Sequence, residues 1–173
     1  MGSTNAFNVR VSPSVSYNPA TQETFLFWTE EDSNQFTNGV SGQKFNSAGA
    51  RQWSDSGLTI VPLGSDSQIF VENVQIGPGA LVFWFDQPGF GSGTIQAIKL
   101  DGTGSTVCAQ FPVSSASSDK SRLAAGIASS GLSALTWEDD RNGENDIYIQ
   151  NVNPDCSLGI EDRLRQKMAT RNF

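Results

Sequence analysis

A chain of 173 residues, 37% hydrophobic and 17% charged, is long enough for one well-buried core and short for two. Its net charge of −7 and pI near 4.4 repel phosphate backbones and anionic lipid surfaces, so nucleic acid is not an expected partner. Histidine is absent, which removes the usual general base, zinc ligand and pH switch together.

The first six residues carry neither a basic nor an apolar leader pattern and read as leader residues ahead of the fold. From Asn8 to Tyr17 the chain is extended, ending at the turn pair Asn18-Pro19. Thr24 to Thr29 is a nearly continuous apolar run, as expected for a strand buried on both faces. A polar loop, an alternating strand over Val40 to Phe45, and a short closing strand over Arg51 to Ser54 follow. The same plan recurs twice. Gln68 to Val74, Ala80 to Phe85, Thr94 to Leu100 and Val107 to Val113 make a second unit. Arg122 to Ala128, Leu132 to Trp137 and Ile147 to Val152 make a third, whose fourth strand must come from Ser157 to Ile160. Trp28, Trp84 and Trp137 each close a second strand and stand roughly 50–56 residues apart, in the range of propellers and arrays.

The expected architecture is all-β: about three four-stranded antiparallel propeller-like blades over 7–159, with approximate units 7–60, 61–116 and 117–159. The tail 160–173 differs. Ile160, Leu164 and Met168 fall at helical spacing, acidic residues first and basic ones after, which predicts a short helix. No run reaches the ~18 consecutive apolar residues of a membrane span, and no insertion is expected. Cys108 and Cys156 lie at comparable places in their repeats. A disulfide in an oxidising compartment and two buried thiols both fit.

Trp137, Asp139, Arg141, Gly143, Asp146, Ile147, Tyr148 and Gln150 form a Trp-x-Asp-x-Arg-x-Gly-x-x-Asp-Ile-Tyr-x-Gln pattern. This resembles the blade signature of a β-propeller-type repeat family of secreted bacterial proteins. The first unit keeps Trp28, Gln43, Phe45, Gly49, Gln52, Trp53 and Gly57, and the second keeps Trp84, Asp86 and the Asp101-Gly102 turn. The resemblance implies a secreted or cell-surface location. Closed propellers usually have four to eight blades, so three imply a fragment, association of copies, or a shared blade. Self-association or contact with the rest of a larger parent chain is expected, because open sheet faces must be covered.

The acidic run Glu138, Asp139, Asp140, Glu144 and Asp146 invites calcium, but its spacing is not that of an EF-hand loop. A tight turn, with Asp139 accepting backbone N–H bonds and Arg141 pairing with a carboxylate, is the preferred reading, with no cofactor. Ser54 to Thr59 faintly resembles the Ser-x-Asp-x-Gly box of propeller sialidases, without its tryptophan, and the arginines Arg10, Arg51, Arg122 and Arg141 are scattered. Gly89 to Gly93 lacks the Lys-Ser/Thr of a phosphate loop and reads as a hairpin loop. The tryptophans could make a sugar platform, but repeat-equivalent positions mark core.

No acid/base or nucleophile constellation assembles, so catalytic residues are not assigned. The leading reading is a non-catalytic scaffold or binding module for protein or glycan. The alternative is a fragment of a propeller-type glycoside hydrolase, with Glu30, Asp86 and Asp139, which end equivalent strands, as the carboxylates to test.

Overall fold

The computed structural model describes residues 8–89 and 91–159, and the backbone of 162–164. Among these the regular structure is all strand, arranged in three antiparallel four-stranded sheets. The first contains β1 (Val9–Asn18), β2 (Glu23–Glu31), β3 (Asn38–Phe45) and β4 (Leu58–Gly64). The middle sheet contains β5 (Ser67–Ile76), β6 (Gly79–Gln87), β7 (Gly93–Leu100) and β8 (Thr106–Ser118). The third contains β9 (Lys120–Ile127), β10 (Ser133–Asp139), β11 (Asp146–Val152) and β12 (Asp162–Leu164). In each sheet the strands lie side by side in chain order, as short hairpin connections dictate.

The middle sheet is apolar on both sides because it is covered on both sides. Along β6, Ala80, Val82 and Trp84 join Phe25, Phe27 and Val40 of the first sheet. The intervening Leu81, Phe83 and Phe85 join Leu135, Trp137 and Tyr148 of the third. Alternation of side chains across a strand makes a continuous apolar run the signature of such a position.

The first strand of every sheet is interrupted opposite its tryptophan. Register shifts fall between Val11 and Ser14, between Ile69 and Glu72, and across the Thr136/Glu138 step. In each case two residues of the first strand oppose one tryptophan, which is the count of a β-bulge. Ser12, Phe70 and Arg122 hold φ of 50°, 53° and 54° there, without being glycine. Pro13 sits in the first of these bulges, where its missing N–H breaks no ladder bond.

The turns that follow the third strand of each sheet share another device. Asn46–Ala50, Asp101–Ser105 and Asn153–Ser157 are each closed by paired backbone bonds of the same pattern. Their fourth residues, Gly49, Gly104 and Cys156, have φ of 76°, 88° and 70°. A cysteine therefore stands where its sister turns use glycine. It is bonded to Cys108 on β8, so the middle and third sheets are joined covalently.

Two fourth strands differ from expectation. Arg51 makes only an isolated bridge to Phe45, and the closing strand is β4, beyond the Ser54–Gly57 turn. The short Arg51–Ser54 run cannot bury itself as an edge strand, whereas Leu58, Ile60 and Val61 pack on the core between the first two sheets. In the third sheet Leu158 makes a single bridge to Val152, and β12 supplies the fourth strand against β11. The predicted helix thus gives way to strand at 162–164, and its remaining residues lie outside those described.

Candidate functional site

The carboxylates at the ends of the second strands are positioned by one repeated cross-strand pairing. Glu30 stands opposite Arg10, Asp86 opposite Gln68, and Asp139 opposite Lys120. In each pair the first-strand partner lies two residues before the positive-φ bulge residue. The bulge thus accommodates the tryptophan and fixes the register of the partner two positions away.

Around Glu30 the partners come from its own sheet. It accepts bonds from Trp28 Nε1 and from Asn8 Nδ2 at 3.0 Å, and Arg10 Nε lies 3.4 Å away. Asp86 accepts from Gln68 Nε2 at 3.0 Å, while the Gln68 backbone carbonyl accepts from Thr29 of the first sheet. Asp139 is more deeply enclosed. Its side chain and that of Lys120 are both 0% exposed, with Nζ 3.2 Å from Oδ2. Trp137 Nε1 donates at 2.9 Å, Ser118 Oγ at 2.7 Å, and the Arg141 guanidinium at 2.6 Å and 3.0 Å. Burial alone would raise the Asp139 carboxyl, but the bonds from Arg141, Trp137 and Ser118 outweigh it and hold it well below the usual carboxylate range.

Arg141 completes a layer in this hub. Its guanidinium lies 4.1 Å from the centre of the Tyr148 ring and 6.0 Å from that of Trp137, and it donates to Ser114 of β8. Trp137 and Tyr148 are cross-strand partners whose rings stack with centroids 6.0 Å apart. Gly143, with φ of 88°, closes the turn from Asp140 that brings Arg141 back over the sheet. Asp146 opens β11 opposite Asp139, and Gln150 Nε2 reaches the Gly159 carbonyl. Gln43 plays the same part in the first sheet, reaching the Ser54 carbonyl. Trp137, Asp139, Arg141 and Tyr148 therefore build one packed junction between the middle and third sheets.

The other sequence candidates are dispersed. Glu138 points to the opposite side of β10 from Asp139, where it meets Ser121 and Arg122. Among the described residues no group of three acidic, cysteine or histidine side chains is placed to hold a metal ion. Arg10, Arg51, Arg122 and Arg141 each pair with a carboxylate of their own sheet and do not converge. Ser54 and Gly57 close a turn, and Gly89 with Ser92 closes a hairpin loop. Trp28, Trp84 and Trp137 are all buried and Trp53 packs on Phe25 and Phe27, so none forms an open sugar platform.

Two clefts open at the end of the sheets where the second strands finish. A cleft of about 210 Å³ there is lined by Ser65, Ser67, Gln87, Gly89 and Asp119, from three different connections. Glu30 lines a larger cleft of about 400 Å³ with Asn8, Ser41 and Thr59. On the β2–β3 loop Phe36 is 80% exposed. Sequence reasoning missed Lys120, Ser118 and Gln68, which lie about twenty residues before their carboxylate partners and carry no local motif.

No family model matches the sequence, and no curated protein matches it. Among solved structures the chain is similar to the endo-arabinase of Bacteroides thetaiotaomicron VPI-5482, at a TM-score of 0.59 and 13% identity. The match covers 95% of this chain and 58% of that one. At this identity the likeness is one of fold, and the chain spans little more than half the length of that protein.

Proposed function

We propose that this chain is part of a glycan-active protein of the glycoside hydrolase type, built from propeller-like sheets. The observation that carries the reading is the likeness to an endo-arabinase along nearly the whole of this chain. The blade-like repeat and its resemblance to secreted bacterial propeller proteins support the same conclusion. The disulfide supports an oxidising location, at the cell surface or outside it.

Within that protein these sheets serve as scaffold and as one side of the glycan-contacting end. Hydrolysis of a glycosidic bond needs two carboxylates about 5–9.5 Å apart, one of them able to give up a proton. Asp139 is ionised, enclosed and committed to Lys120 and Arg141. Glu30 is committed to Trp28, Asn8 and Arg10. Their engagement favours a binding role for this chain, with at least one catalytic carboxylate supplied from elsewhere in the parent protein. Phe36 offers an exposed ring on which a sugar face can stack.

A panel of plant and bacterial polysaccharides, arabinan among them, with matching chromogenic glycosides tests this. Binding without turnover, weakened by Phe36→Ala, is the expected result. Turnover lost in Glu30→Gln or Asp86→Asn would make the chain a complete enzyme. Silence across the whole panel would sink the glycan reading.

A further inference from the structure

In each sheet a residue of the first strand stands opposite the carboxylate that ends the second strand, and in two of the three it is a cation. Arg10 is paired with Glu30 and Lys120 with Asp139, whereas Gln68 is paired with Asp86. Two residues beyond the carboxylate, Arg141 brings a second cation to Asp139, but the residue at that distance from Asp86 is Pro88. Among the described residues no lysine or arginine forms an ion pair with Asp86. The indole bond differs as well. Trp28 and Trp137 donate to Glu30 and Asp139, while among the described residues the side chain of Asp86 takes its hydrogen bond from Gln68 alone.

Gln68 adds a second unmet group. An ionised carboxylate only accepts, so the amide must turn Nε2 toward Asp86 Oδ1, at 3.0 Å, and Oε1 away from it. Gln68 is 6% exposed, and its Oε1 is buried with no donor among the described residues. A buried acceptor left unpartnered costs free energy, and such a group marks a place for a water or an ion. A water satisfies the oxygens but brings no charge, and charge is what the two sister positions supply.

Alternation fixes where the pair lies. Asp86 shares a face of β6 with Ala80, Val82 and Trp84, which pack on the first sheet. Thr29 of that sheet donates to the Gln68 carbonyl at 2.9 Å. The pair therefore sits in the junction of the first and middle sheets, at the place where the next junction holds Lys120. There Nζ takes the carbonyls of Gly93 at 2.9 Å and Ala116 at 2.6 Å, both from the preceding sheet, together with Asp139 at 3.2 Å. Gly93 pairs with Ser118 as Asn38 pairs with Gly64, so the first sheet brings the same two strand ends to the corresponding place.

We infer that Asp86 and Gln68 bind a hard metal cation in the junction of the first and middle sheets, in the place that Lys120 Nζ takes in the next junction. The donors on hand are oxygens: one carboxylate, one amide and main-chain carbonyls. Calcium suits such a set best, since it accepts neutral oxygens in irregular geometry, whereas magnesium demands an octahedron and gives up its waters reluctantly. With one carboxylate the affinity belongs in the weak range of extracellular modules, about 10⁻⁴–10⁻³ M. The inference rests on repeat equivalence and on the unmet oxygens, and it stands whether or not the glycan reading holds.

Thermal unfolding of the full chain in chelator-treated buffer, with calcium, magnesium or potassium chloride added at matched ionic strength, tests this. Calcium at about 10 mM should raise Tm by about 3 °C or more. Equilibrium dialysis should find a bound calcium in the wild type that Asp86→Asn lacks. Gln68→Lys, which writes the sister residue into the middle sheet, should unfold near the Tm of the calcium-loaded wild type and ignore calcium. Glu144→Gln, in the exposed acidic run, should respond as the wild type does. A shift with potassium alone supports the site with a monovalent ion in it. No shift in any of the three salts would leave the pair to water and overturn the inference. A calcium shift that persists in Asp86→Asn, or that disappears in Glu144→Gln, would overturn it too. If Gln68→Lys does not fold, the Asp86→Asn arm decides, because the amide keeps the size of the carboxylate.

Discussion

Trp28–Glu30 and Trp137–Asp139 are the same local device in two surroundings. In both, the indole N–H donates to a carboxylate two residues further along the same strand. Alternation puts both side chains on one face, so the bond forms without help from another element. What differs is the company. Glu30 is answered by Arg10 and Asn8, with its guanidinium partner 27% exposed. Asp139 is answered by a fully buried lysine, an arginine layered on two rings, and Ser118 at the junction from the middle sheet. The strand writes the pair, and the neighbouring sheet decides how much stability hangs on it.

The comparison breaks most sharply at the carboxylates. Asp139→Asn leaves Lys120 and Arg141 buried without their counter-charge and should cost about 3–5 kcal/mol. Glu30→Gln keeps an acceptor for Trp28 and a partly wet arginine, and should cost about 1 kcal/mol. Urea unfolding with unchanged slopes checks both, and equal losses would show that the two surroundings do not differ. Acid sharpens the same contrast. The Asp139 carboxyl titrates lower in the fold than in the unfolded chain, so its contribution is complete above about pH 4 and is lost as pH falls below that. The stability gap between wild type and Asp139→Asn should therefore close on the acid side only.

Next in size is the covalent join. Cys108 and Cys156 close a loop of 48 residues across the middle and third sheets, for which the chain-entropy model gives about 4 kcal/mol. Reduction should lower stability by about 2–4 kcal/mol. No such join is present at the interface of the first and middle sheets. Cys156 also bears the positive φ that glycine takes in the sister turns. With Cys108→Ser in the background, Cys156→Gly should be more stable than Cys156→Ser by about 1 kcal/mol. Equal stabilities would mean that the turn relaxes once the bond is gone.

The interface between the first and middle sheets carries a carboxylate of the opposite sense. Burial raises the Glu72 carboxyl above its usual value, against a smaller lowering by its bond from Ser14, whose Oγ is 3.0 Å away. A raised carboxyl favours the fold at low pH and loses that contribution as pH rises through its folded value. Glu72→Gln keeps an acceptor for Ser14 and should raise Tm at pH 7, with the gain vanishing below about pH 4. A loss at pH 7 would show that the charge itself holds the two sheets together.

The sequence made the sheets legible because a sheet covered on both sides needs continuous apolar runs, and Ala80 to Phe85 is one. The tryptophan repeat located the second strands for the same reason. The closing strands were harder. Arg51 to Ser54 carries a tryptophan, but Trp53 packs on Phe25 and Phe27 from a bend rather than from a ladder. The Asp139 hub was half visible. Asp139, Arg141, Gly143 and Tyr148 lie within ten residues, whereas Lys120 and Ser118 arrive through strand pairing. Of the bulges only the first carried a signal, Pro13 within a strand, since the positive-φ residues are Ser12, Phe70 and Arg122 rather than glycine.

Those bulges supply the smallest effect and the finest comparison among the three sheets. A non-glycine residue in the left-handed region costs about 1–2 kcal/mol, and replacing it with glycine returns about 0.5–1 kcal/mol of that as unfolded-chain entropy. The net gain is therefore small and depends on what the native side chain does. Arg122 is 80% exposed in its side chain, and its pair with Glu138 is worth little in water. Arg122→Gly should thus stabilise by up to about 1 kcal/mol. Phe70 makes an edge contact with Phe85, ring centres 5.7 Å apart, so Phe70→Gly should lose stability despite the same backbone relief. If both substitutions destabilise alike, the positive φ is not strained, and the bulges hold their tryptophans at no cost to the backbone.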